Sequence, residues 1–185
     1  MKNHYEIFGD TTKIFVNRGG IVVSILIDTS DFELIRRFTW CLMYTNTGRE
    51  PYALSSISKP GGGRTSVLMH RIITNAPKNK LVDHINHNGR DNRRKNLRLV
   101  SQSENQQNRA ALQTNNSSGF RGVYFNKKRN AWVANATFNK KTIYLGAFPD
   151  KISAAIVASD FRKDKMPFSD EAMFMPAPTI QIERR

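Results

Sequence analysis

Val82-Asp83-His84-Ile85-Asn86, followed by Asp91-Asn92-Arg93-Arg94, Asn96-Leu97-Arg98 and Ser103-Glu104-Asn105-Gln106, is the stretch on which the reading of this chain turns. Asp83 and His84 are neighbours, so on a strand their side chains point to opposite faces unless the backbone turns there. The loop from Asn86 to Asn92, with Gly89 at its centre, offers such a turn. A hard cation held by one carboxylate and one amide oxygen fits magnesium, which dehydrates reluctantly and keeps water and substrate phosphate in its shell. Asp83 and Asn105 can supply those two ligands. An imidazole that titrates near neutrality can take a proton from water, which makes His84 the candidate general base. Activated water, a cation at the phosphate and help for the leaving 3′ oxygen are the needs of phosphodiester hydrolysis. Downstream, Lys95, Leu97 and Arg98 give the segment from Arg93 to Gln107 helical propensity, with Leu97 and Val100 as its apolar anchor. Such a helix would turn Asn105 back toward a strand pair.

Composition points the same way. The 185 residues suit one medium domain or two to three small modules. They carry 29 Lys and Arg against 15 Asp and Glu, a net charge of +14 that normally serves a polyanion. Double-stranded DNA is the expected partner, and a second copy of the chain is left open. A membrane is not expected, because the sequence has no run of about 18 apolar residues and no Lys/Arg-rich amphipathic helix. The single cysteine, Cys41, can build neither a disulfide framework nor a Cys-based zinc site within one chain. The expected cofactor is therefore one divalent ion, magnesium with manganese as a substitute, and no zinc. Met1-Lys2-Asn3-His4-Tyr5 does not lead into a secretory signal, so an intracellular location is expected.

Upstream, Lys13-Ile14-Phe15-Val16 and Ile21 to Ile27, joined through Asn17-Arg18-Gly19-Gly20, carry a hairpin signature. Thr29-Ser30-Asp31 supplies N-cap chemistry for a short helix from Asp31 to about Phe38. Trp40 to Tyr44 and Tyr52 to Ile57 read as strands around a loop at Thr45 to Glu50. Lys59-Pro60-Gly61-Gly62-Gly63-Arg64 is a hairpin tip, or a loop that tracks a phosphate backbone. Val67 to Ile73 is a strand or helix start carrying His70 and Arg71, which either reach a scissile phosphate or hold structure. Arg93, Arg94 and Arg98 read as phosphate contacts, with a solvated charged face as the plain alternative.

From Ala110 to Ser118 the composition is that of a linker. Phe120 to Phe125, Ala131 to Phe138 and Thr142 to Phe148 then read as three strands, and Pro149-Asp150 opens a helix to about Lys163. Ile152, Ala155, Ile156 and Ala158 give that helix a small-residue face for packing on a sheet. Arg121, Lys127, Lys128, Arg129, Lys140 and Lys141 lie among Phe120, Tyr124, Phe125, Trp132 and Tyr144, the pattern of a sheet face suited to a DNA groove.

The segment from Leu68-Met69-His70-Arg71 through Asp83-His84-Ile85-Asn86, Asn96-Leu97-Arg98 and Ser103-Glu104-Asn105 resembles the HNH, or ββα-metal, homing-type endonucleases of phages. The resemblance implies metal ligation by Asp83 and Asn105, a general base at His84, and bracing of the loop by Asn96 through backbone hydrogen bonds. It also implies products with a 5′ phosphate and a 3′ hydroxyl and, for a phage gene, action in the cytoplasm of a bacterial host. Relatives commonly have Gly-Asp after the Asp-His-Ile-Asn run, where this chain has His87-Asn88-Gly89. Gly119-Phe120-Arg121-Gly122-Val123, Trp132-Val133-Ala134 and Tyr144-Leu145-Gly146-Ala147-Phe148 are similar to the Apetala-2/ethylene-response DNA-binding domain. That likeness implies DNA contacts by Arg121, Tyr124, Trp132, Asn135 and Thr137, with Lys141 nearby; for Trp132 a core position is the alternative. The expected fold is α+β: a β-rich N-terminal region (1–64), a ββα-metal nuclease core (65–109), a linker (110–118), a three-stranded antiparallel sheet packed on one helix (119–165) and a tail (166–185).

Overall fold

The computed structural model describes residues 1–44, 51–108, 112 and 115–171. The loop expected at Thr45 to Glu50, four residues of the expected linker (110, 111, 113 and 114), and Pro176 and Pro178 of the tail lie outside the described residues. The protein is mixed α+β and divides into two compact units, Met1–Gln102 and Ser103–Arg185.

In the first unit, β1 (Tyr5–Phe8), β2 (Thr11–Arg18) and β3 (Ile21–Asp28) form an antiparallel sheet in that order. Alternation drives it: Thr12, Ile14 and Val16 of β2 are buried, as are Ile25 and Ile27 of β3. Gly19 and Gly20 close the hairpin at φ 58° and 88°, conformations that glycine adopts without strain. A 3-10 turn at Thr29–Asp31 leads into α1 (Phe32–Ile35), shorter than the helix expected to Phe38. The N-cap reading of this turn is corrected as well, since neither Asp28 nor Asp31 makes a side-chain cap bond. Asp31 instead accepts the guanidinium of Arg94, a charge-assisted bond stronger than one to a neutral backbone N–H.

β4 (Cys41–Met43), β5 (Tyr52–Ser58) and β6 (Arg64–Leu68) form a second antiparallel sheet. The glycine-rich segment is the hairpin tip between β5 and β6, closed by the Lys59 N–H on the Gly63 carbonyl at 3.0 Å. The chain then runs directly from β6 into α2 (Met69–Ile73). β7 (Leu81–His84) pairs antiparallel with β8 (Leu97–Val100), and α3 (Gln102–Gln107) follows. The helix expected from Arg93 is thus corrected: a 3-10 turn at Arg94–Asn96 gives way to a strand, and helix begins only at Gln102. Pairing with β7 and burial of Leu97 and Val100 outweigh the weak helical preferences of single residues.

One core joins these elements. Ile14, Ile25, Ile35, Trp40, Ala53, Met69, Ile73 and Leu97 belong to a single buried cluster. The boundary expected after residue 64 is therefore not a boundary of packing. β3 also bonds to the segment after β7, through the Leu26 N–H on the Arg90 carbonyl (2.9 Å) and the Asn92 N–H on the Leu26 carbonyl (2.8 Å).

In the second unit, β9 (Val123–Asn126), β10 (Ala131–Phe138) and β11 (Lys141–Phe148) form a sheet in the order β11-β10-β9, and α4 (Lys151–Lys165) packs on one face. Asp150 caps α4, its Oδ1 accepting the N–H groups of Ile152 and Ser153 at 2.9 and 2.8 Å. Ala154 and Ala158 are the buried small residues, whereas Ile152 is exposed. Gly122 is required: a Cβ there would lie 2.1 Å from the Asn135 carbonyl oxygen.

Candidate functional site

Asp83 and His84 end β7, and both are buried, with 8% and 5% of their surface exposed. Consecutive positions on a strand send them to opposite sides. Asp83 pairs across the hairpin with Arg98, whose Nε and Nη2 donate to Asp83 Oδ2 at 2.8 and 2.7 Å. His84 pairs with the core residue Leu97 and joins a cluster of rings. His70 of α2 stands edge-on to it at 5.1 Å between centroids, and Tyr52 of β5 lies 5.5 Å from both.

Burial lowers the pKa of both imidazoles. For His84 desolvation is the largest cause, opposed by a hydrogen bond with Asn92 and by the Asp83 and Asp91 carboxylates. His70 is pushed down to about 3, by burial and then by the charges of His84 and Arg71. For His84 this lowering favours the neutral form, the one that accepts a proton.

The loop between β7 and β8 is closed by its own amides. Asn96 accepts the Asn86 N–H on Oδ1 at 3.0 Å and donates from Nδ2 to the Asp91 carbonyl at 2.7 Å. His87 takes φ 61°, the left-handed conformation for which glycine is suited. Asp91 is buried and accepts Arg93 Nε and Nη2 at 2.8 and 2.7 Å. Burial opposes the Asp91 charge, but the Arg93 fork, the Arg93 N–H and Asn86 hold its carboxyl below the ordinary value.

The other basic residues read as phosphate contacts also have partners. Arg94 donates from Nη2 to Asp31 at 2.6 Å and from its N–H to Asp28 at 2.7 Å. Arg71 holds three backbone carbonyls, those of Lys80, Ala76 and Pro77, at 2.9 to 3.1 Å, and so pins the exit from α2. Sequence reasoning missed Tyr52, whose ring stands beside His70 and His84, because it carries no local signal.

In the second unit, Asn105 lies half-buried on α3. Arg121 donates from Nη1 to the Gln107 carbonyl at 2.9 Å, so it caps the end of that helix. Cross-strand partners share a face, so Tyr124, Asn135, Thr137 and Tyr144 lie on the side of the sheet away from α4. Tyr124, Thr137 and Tyr144 are exposed and Asn135 is half-buried. Trp132 lies on the other side, packed against the core with Phe125 edge-on at 5.2 Å, so the core alternative holds for it. Lys141 is exposed at the hairpin end, opposite Phe138.

A family model described as HNH endonuclease matches residues 68–107, the segment from the end of β6 through α3, and points to nuclease chemistry there. No curated protein matches the chain. No solved structure matches it. One carboxylate and one amide oxygen, the donor types that the sequence reading expects from Asp83 and Asn105, suit a hard ion such as magnesium. Among the described residues no helix is long and apolar enough to cross a membrane.

Proposed function

We propose that the protein is a divalent-metal-dependent DNA endonuclease with His84 as general base, Asp83 and Asn105 as metal ligands and Asn96 as the brace of the loop. The observation that carries this reading is the buried imidazole of His84 beside Asp83, its pKa lowered by burial, inside the segment matched by the HNH endonuclease model. His84 takes a proton from water, the resulting hydroxide oxygen attacks phosphorus, and the 3′ oxygen leaves and takes up a proton from solvent. When bound, a divalent cation would supply Lewis-acid stabilisation of the charge that develops in the transition state. Asp83 and Asn105 would hold it, and Asn96 keeps the segment after His84 in one conformation. The products carry a 5′ phosphate and a 3′ hydroxyl.

The C-terminal unit serves as the DNA reader. Tyr124, Asn135, Thr137 and Tyr144 offer mixed polar and aromatic contacts on the open face, while Lys127, Lys128, Lys140 and Lys141 stand at the turns for phosphate. Tethering this reader to the nuclease raises the local concentration of target.

Conversion of supercoiled plasmid, with and without magnesium, tests the reading. The wild type cleaves only with the metal, and His84→Ala lowers the rate by about 10² to 10⁴-fold. Tight DNA binding with no cleavage at any metal concentration overturns the enzyme reading and leaves a DNA-binding regulator. Equal competition by duplex RNA overturns the choice of DNA.

A further inference from the structure

α3 reads Gln-Ser-Glu-Asn-Gln-Gln over its 6 residues, with no apolar side chain and no buried one. A helix alone in water needs about 12 to 15 residues to be even marginally stable, so this one cannot hold itself. Polar all round, it cannot be held by an apolar face either. Tertiary contacts must therefore hold it, above all at its ends, where the last carbonyls of a helix lack partners within it. From Ser103 onward α3 belongs to the second unit, and that unit supplies such contacts. Arg121 Nη1 donates to the Gln107 carbonyl at 2.9 Å and its Nη2 reaches the Gln106 carbonyl at 3.5 Å, while the Phe168 N–H reaches Gln107 Oε1 at 3.4 Å. A guanidinium in this place also meets the negative end of the helix dipole.

Arg121 is itself anchored. Its carbonyl accepts Nη1 of Arg162 at 3.0 Å, and Arg162, 5% exposed on α4, donates from Nε to Glu171. The residue after it is Gly122, whose carbonyl accepts the Asn135 N–H of β10 at 2.7 Å. The backbone under Arg121 is thus pinned to α4 on one side and to the sheet on the other. A planar fork carried on so fixed a base loses little freedom when it binds, which makes it a firm support for α3.

We propose that Arg121 is a positioning residue of the nuclease: its guanidinium fastens the C-terminal end of α3 to α4 and the sheet, and so fixes the helix that carries Asn105. The proposal rests on the nuclease reading through the role given to Asn105. The likeness to a DNA-binding domain would aim this arginine at phosphate, whereas its two terminal nitrogens are turned to peptide carbonyls. The last helix of the segment matched by the HNH endonuclease model is therefore built on the module that serves as the reader.

Hydrogen exchange of the full chain, read by mass spectrometry, tests the anchor, and manganese titration followed by electron paramagnetic resonance tests what the anchor does. In Arg121→Met, protection of α3 should fall to that of an unfolded segment, while α4 and β10 keep theirs. Manganese affinity should fall about tenfold, the low end of what loss of an outer-sphere support gives. In plasmid cleavage kcat should fall in step, with KM unchanged. Arg121→Lys, which keeps one donor for the Gln107 carbonyl, should recover part of each loss. In an Asn105→Ala background Arg121→Met should weaken manganese binding no further. A wild-type α3 that exchanges as an unfolded segment overturns the proposal without any substitution, and so does an α3 that stays protected in Arg121→Met. Unchanged manganese affinity, with KM raised and the slope of log DNA affinity against log salt reduced by about 0.9, overturns it in favour of a phosphate contact. If Asn105→Ala binds manganese as tightly as the wild type, the assignment of the ligand has failed, and the exchange of α3 still decides whether Arg121 holds it.

Discussion

Arg98 holds Asp83 through two nitrogens on one oxygen, Nε at 2.8 Å and Nη2 at 2.7 Å from Oδ2, across a register that sets the two residues opposite each other. The carboxylate proposed as a metal ligand therefore has a cation beside it, and guanidinium and metal draw on the same charge. Replacing Arg98 with Met should tighten manganese binding by about tenfold, or about 1.4 kcal/mol, measured by titration with electron paramagnetic resonance. The same change leaves a largely buried carboxylate without its guanidinium and should lower unfolding stability by about 3 kcal/mol in urea. Weaker manganese binding in Arg98→Met would show that the fork orients Asp83 rather than competing for it.

Asn96 joins both sides of the loop that follows His84. Asn96→Ala removes its bonds to the Asn86 N–H and the Asp91 carbonyl in a buried setting. The expected loss is about 2 to 3 kcal/mol of stability, since each buried group left unpaired costs about 1 to 3. Asn96→Asp should lie between, because it keeps the acceptor and loses the donor. Urea melts of the three proteins give the order.

Arg71 and Lys141 separate structural from electrostatic roles. The Arg71 guanidinium is engaged by three carbonyls, so Arg71→Ala should lower the melting temperature and leave the salt dependence of DNA binding unchanged. Lys141 is exposed at a turn of the proposed reader, and Lys141→Ala should reduce the slope of log affinity against log salt by about 0.9 with no change in melting. Fluorescence anisotropy across a salt series measures both slopes.

His70 should make the fold sensitive to acid. Its folded pKa, pushed down to about 3, lies below the unfolded value near 6.5, so between these values the unfolded chain binds the extra proton. The stabilisation is complete above about 6.5 and is lost as pH falls toward 3, at about 1.4 kcal/mol per pH unit in mid-range. His70→Gln should flatten that part of a stability profile followed by chemical denaturation.

The expectation of a helix from Arg93 shows where local reading stops. Lys95, Leu97 and Arg98 favour helix as individuals, yet Leu97 and Arg98 form a strand because β7 offers them partners. The strands of the C-terminal unit and the cap at Asp150 were legible, since alternation, turn residues and capping act over a few positions. Trp132 was left between two readings by its sequence. Only the packing of Val123, Ala134 and Ala158 beside it puts it on the covered side.

The amino-acid sequence alone specified the hairpins, the Asp83-His84 pair and the excess of positive charge, because these depend on neighbours in the chain or on simple counts. It could not say which arginines face outward. Arg93, Arg94 and Arg98 look alike in a basic run, yet each meets a different carboxylate, and Arg94 finds Asp31 at a separation of 63 residues. The tertiary structure decided that, and it joined β3 to the loop. Backbone preferences are local, whereas desolvation and ion pairing depend on what folding brings within a few ångströms.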